Sequence, residues 1–379
     1  MYWLLNNSFS IFKKSLKYKI IVVNPNENAA GCRLRYYSII ESPDISLRYQ
    51  VESVNLESFC SRNRFIALFE RGISKFPGIE CCYLKIRLGI LLLCVAKADL
   101  AVFGKPYGSY HMEALKIAKK FNTKILSDFC DFHSGINDSF LEAARYSDMI
   151  TVPTPTLAGR IYGETSKCPI VIPDRLDYCV LPGDSELEKY SYCLHPKTIL
   201  WFGLAFANNK PTYSFSQFCR IVSSSEELII NNGSYLEIIS ESADRAKDYL
   251  IAKLRADSSI VVHSRQWSIV SMRQALARPG FVILPYQEPV ESCEKSANRV
   301  ELALCAGKVV ISNAVALPSL DKSLASLVKP MPCKALQSSD LIFNYTKQSD
   351  QAKQSKNILD VKSLEISLLW KHALQAILA

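Results

Sequence analysis

The chain has 379 residues, 49% apolar and 21% charged, too long for one ordinary core and too apolar for a disordered chain, so two globular domains are expected. Its formal charge of +9, from 45 Lys and Arg against 36 Asp and Glu, favours an anionic partner, whether a phosphorylated small molecule, an anionic membrane surface or a nucleic acid. The sequence has no zinc-finger spacing, aromatic RNA-binding signature or basic helix, which sets nucleic acid aside.

The first residues, MYWLLNNSFSIFKKSLK, place the apolar part before the basic part, the reverse of a secretory signal. They read either as a segment lying on a membrane surface or as a frayed or mis-started terminus. The longest apolar run elsewhere, LGILLLCVA from Leu88 to Ala96, is too short to span a bilayer. The 13 Cys form no C-x-x-C pair and sit mostly within apolar runs, which predicts reduced core thiols and a cytoplasmic setting.

Short β-branched runs then alternate with amphipathic stretches. KIIVVNP from Lys19 reads as the first strand, ADLAVFGKP from Ala98 as another, HMEALKIAKKF as a helix, and TKILSDF, SDMITVPT and CPIVIPD as further strands. A second series begins at KTILWFG from Lys197 and continues through SYLEIIS, SSIVVHS, GFVILPY and GKVVIS. Such alternation predicts parallel sheets covered by helices on both faces. The stretch DRLDYCVLPGDSELEKYSYCLHP carries Pro and Gly punctuation and contains the predicted linker, and SLEISLLWKHALQAIL reads as a C-terminal helix. The expected division is an extension at 1–18, a first domain at 19–180, a linker at 181–196, a second domain at 197–345 and a helical segment at 346–379 that returns toward the first domain.

The stretch EKSANRVELALCAGKVVIS, Glu294 to Ser312, carries the densest chemistry. It follows a strand and a loop, so its helix starts at the C-terminal edge of the second sheet, where open α/β folds bind ligands. Unpaired N–H groups and the helix dipole favour an anion there, and Lys295, Ser296, Asn298 and Arg299 add donors. A carboxylate one turn on, Glu301, suits the two hydroxyls of a ribose, so the ligand that fits is a nucleoside diphosphate. The bland reading is a solvated amphipathic helix with Glu301 merely exposed.

His133, after the strand in DFCDFH, has a side chain suited to act as general base on an acceptor hydroxyl, or is a polar loop residue. Asp128, Asp131 and His133 have the ligand types for a metal but weak spacing. Arg33 and Lys105 follow strands of the first sheet, where each binds phosphate or is a solvated loop charge. Arg265 and Gln266 follow SSIVVHS at the matching edge of the second sheet, and Trp267 beside them serves a nucleobase or the core.

ELALCAGKVVIS resembles the E-A-M-A-x-G-x-P-V-I segment of the GT-B glycosyltransferases, and K-S-x-N-R before it resembles the donor-site helix of one bacterial branch of that superfamily. NAAGCRLRYYS, DLAVFGKP, ILSDFCD, DMITVPTPTLAGRI, VIPD and ILWFG agree in order, so the resemblance runs from about Lys19 to Leu320. It implies an α/β GT-B architecture of two Rossmann-like domains whose parallel sheets face a central cleft. The donor, a nucleotide sugar, would be held mainly by the second domain, and a sugar, glycan or lipid-linked acceptor by the first. Carried over by position, Glu301 accepts the ribose hydroxyls, and Lys295 with the backbone of Ser296 to Arg299 holds the diphosphate. Gly203 borders the donor, Gly31 and Arg33 face the transferred sugar or the acceptor, and Asp131 is assigned to the acceptor side with Lys105. Two departures stand out: Cys293 occupies the place of a family glutamate, flanked by Glu291 and Glu294, and Val309 that of the usual Pro. The implied activity is metal-independent, cofactor-free glycosyl transfer in bacterial surface polysaccharide or glycoconjugate assembly, in the cytoplasm or peripheral at the inner face of the membrane. A nucleotide-sugar epimerase and a non-catalytic nucleotide- or glycan-binding relative are the alternatives on the same scaffold.

Overall fold

The computed structural model describes residues 18–24, 32–36, 39, 43–55, 89, 92, 94–106, 109–130, 137–183, 185–187, 197–287, 296–314, 319–332, 334–342 and 344–379. The chain divides into two compact units. The first holds Met1–Val152, Ala158–Ile172 and Ser367–Ala379, and the second holds Pro153–Leu157 and Pro173–Ile366.

The first unit is built on a six-stranded sheet of β1 (Tyr18–Asn24), β2 (Tyr49–Asn55), β3 (Leu100–Gly104), β4 (Lys124–Asp128), β5 (Met149–Val152) and β6 (Ile170–Val171), in the order β2-β1-β3-β4-β5-β6. All neighbouring pairs are parallel. Ile20 to Val23 and Leu100 to Phe103 are fully buried, as expected of strands covered on both faces. A π-helical turn at Cys32–Tyr36 follows β1, and the described residues include the helices α1 (Pro43–Arg48), α2 (Ser109–Lys120), α3 (Asn137–Tyr146) and α4 (Pro155–Thr165). β2 was not expected from the sequence. Among the described residues it is an edge strand that pairs with β1, with Gln50 exposed and Glu52 half-buried, so it lacks the continuous apolar run of its neighbours.

The second unit contains β7 (Thr198–Phe202), a small hairpin of β8 (Phe206–Ala207) and β9 (Lys210–Pro211), α5 (Tyr213–Ser223), α6 (Glu226–Asn231), β10 (Tyr235–Ser240) and α7 (Ala243–Ile251). It continues with β11 (Val262–Gln266), α8 (Ile269–Ala277), β12 (Gly280–Leu284), α9 (Asn298–Cys305), β13 (Val309–Ser312), α10 (Lys322–Ala325) and most of α11 (Tyr345–Leu378). Its sheet has five parallel strands in the order β11-β10-β7-β12-β13. Alternate side chains feed two cores. Leu200, Phe202, Val282 and Val310 pack with Met272 of α8, Val300 and Ala303 of α9 and Leu359 of α11, while Ile199, Trp201, Phe281 and Ile311 pack with Phe215, Phe218 and Ala246. The sheet is therefore wound on both faces, and its strand order reverses between β7 and β12.

Two boundaries differ from the sequence expectation. β11 runs on through Arg265 and Gln266, which were expected to follow it. α9 begins at Asn298 with Ala297 as its N-cap, so Ser296 precedes the helix. Its end follows the sequence signal: Gly307 adopts φ +68 and its N–H reaches Leu304 O, while the Lys308 N–H reaches Ala303 O, a Schellman turn.

Candidate functional site

In open α/β sheets ligands bind beyond the carboxyl ends of the strands where the strand order reverses. In the second unit that place lies beyond β7 and β12, and three residues meet there. Gly203 follows β7, Tyr286 follows β12, and Arg299 comes from the first turn of α9. The Arg299 guanidinium donates from Nη1 to Phe202 O at 3.2 Å and lies 5.1 Å from the centre of the Tyr286 ring. Gly203 has φ +148, and a Cβ there would stand 2.8 Å from Arg299 Nη1, so a side chain at 203 would displace the guanidinium. Among the described residues Arg299 has no carboxylate partner. By contrast Arg35, Arg255, Arg265, Arg273 and Arg278 are all ion-paired.

The tip of α9 adds to this set. Ala297 has no side chain able to cap, and the N–H groups of Val300 and Glu301 both turn to Ala297 O, which leaves the amides of Asn298 and Arg299 without a capping side chain among the described residues. Ser296 Oγ donates to Asp174 Oδ2 at 2.6 Å, which fixes the approach to the helix. Asn298 is half-buried at the same end. Forked donors, bare amides and a helix dipole converging on one strand edge can hold an anion.

Glu301 faces elsewhere. At 100° per residue it stands about 200° round the helix from Arg299. It is 2% exposed, and its Oε1 accepts from Lys362 Nζ of α11 at 2.5 Å. Burial raises its pKa above the ordinary carboxylate value against the pull of Lys362. The solvated-helix reading thus fails for Glu301, and its carboxylate is engaged with α11 rather than presented beside Arg299.

Arg265 is also committed. Its Nε lies 3.0 Å from Glu237 Oε1 and its Nη1 donates to Gln274 Oε1 at 2.8 Å. Because β11 extends through position 265, this side chain reaches the neighbouring strand β10 instead of an open loop. Trp267 packs against the apolar core. Lys295 lies outside the described residues, as do Gly31, Asp131, His133, Cys293 and the first 17 residues.

In the first unit, Arg33 lies in the π-helical turn and Lys105 just past β3, half-buried at φ +49, with its N–H bonded to Asp128 O at 3.0 Å. The dominant feature there was not anticipated. Asp128, fully buried at the end of β4, accepts from Arg35 Nε at 2.6 Å and Nη2 at 2.5 Å, from Tyr36 Oη at 2.6 Å and from Thr151 Oγ1 at 2.7 Å. Arg35 also donates to Ile172 O at 2.7 Å and stacks 5.5 Å from the Trp370 ring centre. Burial, and then Asp128, push the Tyr36 phenol well above its usual pKa. Both Asp128 oxygens are thus filled, which removes Asp128 from the metal set weighed in the sequence. His111, on the first turn of α2, is 6% exposed, has no hydrogen-bond partner at Nε2 among the described residues, and is held neutral by burial with a pKa of about 4. Sequence reasoning missed Tyr286, Asp174, Lys362 and His111. Only Tyr286 carried a signal, as the residue just beyond a fully apolar strand.

Neither a protein-family model nor a curated protein matches the sequence. Solved structures do match in shape. UDP-GlcNAc 2-epimerase from Neisseria meningitidis, bound to UDP-GlcNAc, superposes with a TM-score of 0.50 at 11% identity over 95% of this chain and 99% of its own. The α,α-trehalose 6-phosphate synthase of Burkholderia multivorans gives 0.51 at 10% identity over 96% and 98%. A glycosyltransferase of avilamycin A biosynthesis gives 0.50 at 10% identity over 95% and 98%. This chain has the GT-B fold. Its two parallel-sheet units are the two α/β domains of that fold, with six and five strands. Among the described residues of this GT-B chain no helix is long and apolar enough to cross a membrane.

Proposed function

We propose that the second unit binds a nucleoside-diphosphate sugar at the ends of β7 and β12, and that the protein transfers the sugar to an acceptor hydroxyl. The observation that carries this reading is Arg299, braced by Phe202 O, the Tyr286 ring and the space left by Gly203, and without a carboxylate partner among the described residues. Arginine's planar fork matches phosphate oxygens, and the uncapped amides of α9 point the same way. As the glycosidic bond breaks, negative charge grows on the departing diphosphate. Cations and amide dipoles already in place stabilise that charge without reorganising.

In this reading Lys295 and Asn298 assist at the diphosphate, and Ser296, held by Asp174, orients the tip of the helix. Glu301 serves α9 through Lys362 rather than the ribose. His133 takes the acceptor proton, and Gly31, Arg33, Lys105 and Asp131 belong to the acceptor side. The acceptor is a sugar, a glycan or a lipid-linked glycan of a bacterial surface polymer. The +9 charge suits work in the cytoplasm at an anionic inner membrane face.

A nucleotide-sugar epimerase is the second reading, favoured by the similarity in shape to UDP-GlcNAc 2-epimerase. The two separate in one experiment, in which nucleotide sugars are incubated with the protein with and without candidate glycan acceptors. Release of nucleoside diphosphate only with acceptor supports the transferase. Interconversion of sugar nucleotides without acceptor supports the epimerase, and turnover in neither format would refute both.

A further inference from the structure

Tyr286 lies just past β12, two residues beyond Leu284. Its backbone is held at both polar groups by one side chain. The Tyr286 N–H donates to Asn313 Oδ1 at 2.8 Å, and Asn313 Nδ2 donates to Tyr286 O at 2.8 Å. Asn313 itself follows β13, so its amide extends the β12–β13 pairing by one step beyond the strands. The ring position is therefore specified by the sheet rather than by a free loop.

The phenol at that position is anomalous. Tyr286 is 3% exposed, and its hydroxyl has no hydrogen-bond partner among the described residues. A buried hydroxyl without a partner is destabilising, and phenylalanine would fill the same space without that cost. One face of the ring carries the Arg299 guanidinium, which spends a single N–H on Phe202 O. An unpaired phenolic donor, the remaining donors of an arginine and the bare amides at the tip of α9 thus share one strand edge, and no acceptor among the described residues answers them.

We propose that the Tyr286 hydroxyl is a ligand-binding group of this anion site, donating to a phosphoryl oxygen of the diphosphate that Arg299 engages. The assignment rests on the diphosphate reading given under Proposed function. It explains why the chain keeps a buried O–H at this position: the missing partner arrives with the ligand, on the strand edge that also carries Arg299. Tyr286 then discriminates a diphosphate from a ligand without phosphoryl oxygens.

The test uses inorganic pyrophosphate, which carries the diphosphate without a base, titrated calorimetrically into the full chain and into Tyr286→Phe, Arg299→Gln and the milder Arg299→Lys. Urea midpoints of all four are measured alongside. Tyr286→Phe should be at least as resistant to urea as the parent, because it loses an unpaired buried hydroxyl, yet bind pyrophosphate about tenfold more weakly, because it loses a bond to a charged acceptor. A purely structural tyrosine gives no such opposition of signs. Weakened binding by the Arg299 variants together with parental binding by Tyr286→Phe overturns the role of the phenol and leaves the anion site standing. Parental binding by both Arg299 variants, or no binding by the parent at millimolar pyrophosphate, overturns the anion site and the phenol with it.

Discussion

Replacing Lys362 with Met removes the cation that faces Glu301 while keeping an unbranched stem of similar length. Glu301 is 2% exposed, so its carboxylate cannot turn to water when the ammonium 2.5 Å away is lost. Breaking a buried pair from one side costs about 3–5 kcal/mol. Protonation sets a ceiling: taking up a proton at pH 7 against a reference value of 4.5 costs about 3.4 kcal/mol. Lys362 is itself partly exposed, which lowers the expected loss to about 2–3 kcal/mol at pH 7. The sign with pH follows from the direction of the shift. Burial already raises the Glu301 pKa, and loss of Lys362 raises it further, so the penalty is full at neutral pH and fades as the pH falls toward the unfolded value. Urea unfolding of the parent, Lys362→Met and the double variant Lys362→Met with Glu301→Gln, at pH 7 and pH 5, measures this. The double variant should recover most of the loss because no buried charge is left unpaired. A change below about 0.5 kcal/mol at pH 7, or an equal loss at both pH values, would refute the claim that this pair anchors α11 to α9. Nucleotide titrations of Glu301→Gln separate the anchoring role from a ribose contact: only a ribose contact makes the mutation penalise a natural nucleotide more than its 2′,3′-dideoxy form.

Gly203→Ala should cost about 1–3 kcal/mol of stability, since φ +148 is unfavourable for an L side chain, and should also weaken nucleoside diphosphate binding by moving Arg299; urea midpoints and calorimetry read the two effects. Lys308, buried with its ammonium on Ala275 O and Arg278 O, has its pKa lowered to about 7, chiefly by burial. Between pH 7 and its unfolded value of 10.5 the unfolded chain binds the extra proton, so the stability this residue permits rises with pH. The parent should therefore gain about 2 kcal/mol from pH 7 to pH 9 relative to Lys308→Met, and parallel urea profiles of the two proteins would count against it.

The strands that build both sheets were readable because a parallel strand buried on both faces must be apolar along its length. IIVV, LAVF, ILWF, FVIL and VVIS satisfy that without reference to any neighbour. β2 escaped notice because Gln50 and Glu52 break the run, and only its pairing with β1 makes the segment a strand. The site divides the same way. The place of Arg299 in the fold was legible because a helix following an apolar strand puts its first turn at that strand's carboxyl edge wherever the rest of the chain goes. Arg265 was misplaced because the length of β11 depends on its register with β10, which brings Glu237 within reach. The orientation of Glu301 is decided by Lys362, far downstream on α11, and no local pattern encodes that meeting. In the sequence Tyr286 reads as the end of a strand, and that its hydroxyl lacks a partner among the described residues emerges only when the neighbours of the ring are known.

The central claim is that the strand edge carrying Arg299 binds the diphosphate of a sugar donor. It is met most directly by thermal unfolding of the parent and Arg299→Gln against a panel of nucleoside-diphosphate sugars at equal concentration. A ligand that binds only the folded state stabilises it by about 2.7 kcal/mol at a hundredfold excess over Kd. At least one nucleotide sugar should raise the melting temperature of the parent and raise that of Arg299→Gln clearly less. A panel in which every effective ligand shifts both proteins equally, or in which none shifts the parent up to millimolar concentration, would contradict the account.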